Sequence, residues 1–233
     1  MRPVLRGIAA LAVLLACAGH ADAQAPADAR AEAVGDAVVF DGRIGAGSAA
    51  DFLRLLQDPK IKRLVITSGG GLVDAALDMA FAIHERQLDV EVPTSCRSSC
   101  ANYIFPAARH KTLGRHGAVA WHGDMAHVLH LQQTGQANWN ESQMDSARRL
   151  ARRETEFFGR AGVDGFVCWF AKIEPHQVED FYALSVEDME GFGIREVSVR
   201  DEPAGRQGDK DVVDVRVDRA GLEAARPRVR LDR

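Results

Sequence analysis

Between residues 37 and 122 the chain alternates short apolar runs with amphipathic stretches of helical period, and the turns between them are brief. The apolar runs are 37–40, 64–66, 90–92 and 118–121. After the first, Phe52, Leu53, Leu55 and Leu56 share one broad helical face, behind a Ser48–Asp51 spacing that suits a capping box. After the second, Val73, Leu77 and Ala80 face one way while Asp74, Asp78 and Glu85 face the other. An apolar helix over 101–107 follows the third. Strands separated by helices pair in parallel through right-handed crossovers. The pattern therefore predicts an α/β fold, a mainly parallel sheet with flanking helices. Ligand sites in such sheets gather at the carboxyl ends of strands. That rule selects Gly69–Gly71, Cys96–Cys100 and His122.

The rest of the chain reads as appendages and helices. Residues 1–23 have the form of a cleaved export signal. Arg2 and Arg6 precede an apolar run over 7–19, and Ala21-Asp22-Ala23 supplies the small-x-small cleavage pattern. The run falls short of the roughly 20 residues that a bilayer span needs. The predicted location is the periplasm; Leu14-Leu15-Ala16-Cys17, an imperfect lipobox, offers a lipoprotein anchored through Cys17 as the minority reading. Residues 24–35 are expected as a flexible leader, 36–198 as the folded domain, and 199–233 as a charged, partly disordered tail. Within the tail the alternation over 213–217 could add an edge strand. Residues 123–140 read as a polar loop, 141–159 as a charged helix and 163–190 as mainly helical.

Charge and cysteine usage narrow the partners. Lys and Arg total 29 against 33 Asp and Glu, a net charge of −4, so no basic excess draws the chain to nucleic acid. Past the signal, Cys96, Cys100 and Cys168 remain. An odd number in an oxidising compartment implies one bridge and one free thiol, with all three pairings open. No second close Cys/His pair completes a zinc site, and Asp124, His127 and His130 fit no standard ligand spacing, so no metal is expected.

Three features carry chemistry. Gly69–Gly71 can turn its amides toward an anion, as half of an oxyanion hole; the Lys and Ser/Thr of a phosphate-binding loop are missing. The run Ser95-Cys96-Arg97-Ser98-Ser99-Cys100 places a serine at a strand-to-helix turn, where a hydroxyl and the next amide can serve as nucleophile and oxyanion donor. Serine there is equally an ordinary helix N-cap. His122, ending a strand on the same side of the sheet, is suited to shuttle the proton.

Residues 64–124 resemble the Clp protease/crotonase superfamily, in particular its serine peptidase branch. Thr67-Ser68-Gly69-Gly70-Gly71 is similar to the Ser-Pro-Gly-Gly turn of that family, with Gly69 in place of its proline. Ser98-Ser99-Cys100 with Tyr103-Ile104 resembles the nucleophile turn, Trp121-His122 the strand-terminal histidine, and Glu179-Asp180-Phe181 with Gly191–Ile194 the acid segment. The resemblance implies a spiral of ββα units with Ser99 as nucleophile, His122 as base and Asp180 as the orienting acid. It also implies amides near Gly70 or Gly71 and at Cys100 for the oxyanion. Ser98, in its Cys-x-Ser-x-Cys frame, is the alternative nucleophile, and Glu179 and Asp164 are alternative acids. A Cys96–Cys100 bridge would staple the turn.

The expected function is an exported serine peptidase acting on peptides or unfolded protein, without cofactor and without an ATPase partner. The family habit implies a homo-oligomer, with helix 141–159 as an interface element. The alternative is a non-catalytic binding or scaffold protein of the same fold. Crotonase-type thioester chemistry would need coenzyme A, a cytoplasmic cofactor, which sits poorly with export.

Overall fold

The computed structural model describes residues 29–200 and 211–231. The export signal and Cys17 lie outside the described residues. In chain order the elements are β1 (Arg30–Val34), β2 (Ala37–Asp41), α1 (Ala46–Leu55), β3 (Arg63–Thr67), α2 (Val73–Glu85), β4 (Asp89–Val92) and β5 (Ser95–Arg97). A π-helical turn, Cys100–Ile104, runs into α3 (Phe105–Ala107). Then come β6 (Lys111–Leu113), β7 (Ala118–Ala120), α4 (Met125–Gln133) and α5 (Glu141–Ala161). The chain closes with β8 (Phe181–Ala183), α6 (Val186–Gly191), β9 (Val197–Val199), β10 (Val212–Asp214) and α7 (Arg219–Ala225).

The main sheet has the order β1-β2-β3-β4-β6-β9. Only the β1–β2 pair is antiparallel; every other pair is parallel. A second, smaller layer runs beside it. After β2, Ile44 bridges Gly71; after β3, Ser68 bridges Cys96; β4 is followed by β5, and β6 by β7, and β5 pairs β7. After β2, β3, β4 and β6 the chain lays a short extended stub into this second layer and then enters a helix. This is the ββα spiral that the superfamily resemblance implies. Because the stubs stack on one another, the glycine turn, the Cys96–Cys100 turn and the end of β7 converge at one place.

Burial explains the spiral. Val38, Phe40, Leu64, Ile66, Val90 and Val92 are fully covered on the sheet faces. The alanines Ala75, Ala76 and Ala80 let α2 lie close to its neighbours. Helix α5 starts with a reciprocal capping box between Asn140 and Gln143 and stops at Gly162 in the left-handed region. Its Arg149 and Arg153 reach across to Asp74 and Asp78 on α2, at 2.7–2.9 Å. The charged face of α5 is thus partly spent within the molecule, and such exposed pairs fix orientation more than they stabilise.

Several segments differ from the sequence expectation. Residues 30–34, expected in a flexible leader, form β1. Its residues stay largely exposed, so no apolar alternation announces it; backbone pairing to β2 makes the strand. The expected loop 123–140 contains α4, started by Asp124, whose carboxylate accepts from His127 N at 2.9 Å. Helix α1 starts at Gly45, and Ser48 acts from its third position back onto Gly45 N. The mainly helical expectation for 163–190 gives way to two 3-10 turns, β8 and α6. In the tail, β10 pairs β8 in parallel, Val215 is buried, and α7 follows; this part packs on the core and is no separate appendage.

Candidate active site

The turn after β5 is held on several sides. Cys96 and Cys100 form a disulfide across it. Inside that frame Ser98 takes φ 55, a left-handed conformation uncommon for a residue with a side chain. Neighbouring groups hold it there. Ser98 N donates to Ala120 O at 3.0 Å, and Asn102 N donates to Ser98 O at 2.8 Å. The result is a sharp elbow that lifts the Ser98 hydroxyl away from the helix that follows.

His122 meets it. Trp121, just before it, exchanges two backbone hydrogen bonds with Tyr182, which pins the end of β7 to β8. The imidazole lies against the Phe181 ring, with centroids 4.5 Å apart, and its outer edge is exposed. Its Nε2 stands 2.7 Å from Ser98 Oγ. Burial, and then the positive charge of Lys172, hold the imidazolium below its ordinary value of 6.5. This favours the neutral ring at pH 7, and with its proton on Nδ1 the free Nε2 can accept the hydroxyl proton.

Ser99 is placed differently from the expectation. Its Oγ accepts from Gly71 N at 2.8 Å and faces Gly71 O at 3.3 Å, and the residue is only 2% exposed. Ser99 therefore staples the glycine turn to the elbow, and the hydroxyl that meets His122 is that of Ser98. The resemblance favoured Ser99 for its spacing to Tyr103-Ile104 and His122, with Ser98 as the alternative; at the left-handed φ of Ser98 it is the Ser98 hydroxyl that reaches the imidazole.

The expected oxyanion amides shift accordingly. Gly71 N is engaged by Ser99, and Gly70 N donates to Ser68 Oγ at 3.1 Å. Ser68 Oγ in turn donates to Gly42 O at 2.7 Å. With Ser98 in the attacking position, the amide one residue on is Ser99 N and not Cys100 N. A methyl group on Gly70, at φ +93, would stand 3.0 Å from Ser99 N and 2.7 Å from Ser98 Cβ. Gly70 and the Ser99 amide thus border the same small space.

The third member is absent from its expected place. Asp180 is exposed, and its backbone carbonyl, with that of Glu179, accepts from Lys172 Nζ. Asp164 starts a 3-10 turn and pairs with Arg226. Among the described residues no carboxylate hydrogen-bonds the His122 ring. The Lys172 cation acts on the ring electrostatically, and Phe181 packs against its face. The arrangement is a Ser98–His122 dyad.

Two buried acids lie behind it, and only Asp124 had been singled out in the sequence, as a metal candidate. Burial pushes Asp124 up to about 7. Glu154 accepts from Tyr103 Oη and from Met125 N, and burial together with Asp124 raises it well above the usual range. Asp124 drew notice only through its spacing to His127 and His130, since 123–140 read as a loop; Glu154, mid-helix among charged residues, gave no signal. His127 and His130 stack on Trp169, and no group of residues able to hold a metal occurs among the described residues. The free thiol, Cys168, is fully buried and pushed up by that burial, so it cannot serve as a thiolate nucleophile.

The disulfide closes a loop so short that the chain-entropy argument gives about 2 kcal/mol of stability. Replacing both Cys96 and Cys100 by Ala should lower the melting temperature by roughly 4–8 °C. Thermal unfolding of the variant, beside the native protein with and without reductant, measures it. An unchanged melting temperature in both would mean the bond does not constrain the turn.

The chain matches no protein-family model. No curated protein matches it. Among solved structures, methylmalonyl CoA decarboxylase complexed with 2S-carboxypropyl CoA is similar at TM-score 0.31 and 10% identity, over 40% of this chain and 47% of that one. A second structure of methylmalonyl CoA decarboxylase is similar at TM-score 0.31 and 8% identity, over 41% and 48%. The chain spans about half the length of these structures, and a likeness this loose bears on neither activity nor substrate.

Proposed function

We propose that this protein hydrolyses peptide bonds in short or unfolded chains by acyl transfer to Ser98. The observation that carries the reading is the 2.7 Å approach of Ser98 Oγ to a neutral His122 Nε2, on a left-handed elbow at the mouth of a cavity of about 270 Å³. In the first half-reaction Oγ bonds to the carbonyl carbon while Nε2 takes its proton. The imidazolium then gives that proton to the departing amine as the C–N bond breaks. In the second half a water attacks the ester, again losing its proton to Nε2, and Ser98 is restored. The oxyanion would lie near Ser99 N, with a glycine-turn amide released to it by a small rotation of Ser68 or Ser99. Export to the periplasm, independence from ATP and self-association belong to the same proposal.

A fluorophosphonate probe followed by peptide mapping tests it. The expected result is a single adduct on Ser98. A second reading, a binding protein that keeps the fold, is favoured by the missing carboxylate and by the engaged Gly70 and Gly71 amides. Folded protein that takes no label would establish that reading instead.

The environment of His122 fixes a pH dependence. An imidazole must be neutral to act as base, so kcat/KM should rise through a single acid limb lying below pH 6.5. Removing the Lys172 cation relieves the imidazolium of a like charge. Lys172→Met should therefore move that limb upward, toward the ordinary histidine value. A limb that stays in place, or moves down, would show that Lys172 does not act on His122.

A further inference from the structure

The cavity beside Ser98 carries a polar atom that the fold itself does not use. Asn102, on the π-helical turn, is 3% exposed and lines this cavity together with Val73, Tyr103, Met125, His127 and Val128. Its Nδ2 donates to Gly123 O at 2.8 Å, which fixes which way the amide faces. Its Oδ1 has no hydrogen-bond partner. A buried acceptor left unpaired costs the protein free energy that a donor would return.

The rest of the wall defines what that donor can be. Val73, Met125 and Val128 supply apolar surface, and Tyr103 spends its hydroxyl on Glu154. Among the described residues no Lys or Arg lines the cavity, so an acidic group would enter without a counter-charge. His127 is held neutral by burial, and Asp124 spends Oδ1 on His127 N. What the cavity offers is apolar wall from Val73, Met125 and Val128 and, on Asn102, a buried acceptor without a partner close to Ser98.

Resting on the hydrolase reading, we propose that this cavity receives the side chain on the acyl side of the scissile bond. Asn102 Oδ1 is the specificity determinant, selecting an apolar stem tipped with an uncharged donor such as the primary amide of glutamine. A site built to pair a donor rejects analogues that lack it far more than a greasy slot rejects a change of shape.

The test is a set of fluorogenic peptides that differ only at that position: Gln, its near-isosteres Met and Glu, and Lys. Glutamine should exceed methionine by roughly 10-fold or more in kcat/KM, with glutamate poorest. In Asn102→Leu the Gln/Met ratio should collapse toward one, whatever happens to the overall rate. Should that variant fail to fold, Asn102→Asp keeps an oxygen there and adds charge, and should turn the preference to lysine. Equal rates for Gln and Met, a native preference for Glu or Lys, or a ratio that survives Asn102→Leu would each overturn the assignment. Fluorophosphonate labelling of Ser98 in the same samples separates the two levels: label without the preference sinks only the role of Asn102, while no label and no cleavage sinks the hydrolase and this inference with it.

Discussion

Ser98→Ala should abolish fluorophosphonate labelling and lower peptide cleavage by on the order of 10⁴-fold or more, while Ser99→Ala stays within about 10-fold of the native rate. The asymmetry follows from where the two hydroxyls go. Ser98 Oγ has the imidazole as its partner; Ser99 Oγ has only the Gly71 backbone. Removing the first deletes the proposed attacking atom. Removing the second deletes a hydrogen bond that joins two turns already joined by the Ser68–Cys96 bridge, with its backbone bonds from Ser68 N to Ser95 O and from Arg97 N to Ser68 O. His122→Ala should cost about as much as Ser98→Ala, and the double variant little more than either, because nucleophile and base act as one unit. Equal losses at both serines, or a larger loss at Ser99, would reverse the assignment.

This pair also marks how far the sequence could be read. The alternation of apolar runs with amphipathic helices gave the parallel sheet, because buried parallel strands need continuous apolar runs and crossover helices need one wet face. It likewise gave the convergence of the glycine turn, the cysteine-framed turn and His122, since all three fall at strand ends. Both serines were legible as candidates, but the choice of Ser98 over Ser99 was not. It depends on one backbone angle, imposed by a disulfide, by Ala120 and by Gly70, and those constraints come from three separate parts of the chain. The acid was misplaced for a related reason. Residues 174–183 carry several carboxylates, and the lysine that gathers the carbonyls of Glu179 and Asp180 leaves the Asp180 side chain outside. β1 and β9 were missed because exposed or short edge strands owe their existence to a neighbour's backbone and carry little pattern of their own.

Gly70→Ala should be a damaging single methyl group, because it presses directly on the Ser98 elbow. The position lies at φ +93, where a side chain is strained before any contact is considered. The added carbon would stand 2.7 Å from Arg97 O and 2.7 Å from Ser98 Cβ. The first of these is backbone on a strand paired to β7, and the second is the elbow itself, so neither can yield by a simple rotation. Strain and overlap together should cost about 2–4 kcal/mol of stability. Function should suffer more than that. Whatever relaxation admits the methyl must push the elbow away from the glycine turn, and a displacement near 1 Å at a nucleophile costs on the order of 100-fold. The labelling rate at Ser98 should therefore fall by at least that factor at a temperature where circular dichroism shows the variant still folded. Gly69→Ala is the matched comparison, because a methyl there meets nothing within 4 Å and should leave labelling near native. If Gly70→Ala labels as fast as the native protein, the glycine turn does not press on Ser98, and the space beside the Ser99 amide is not the oxyanion site.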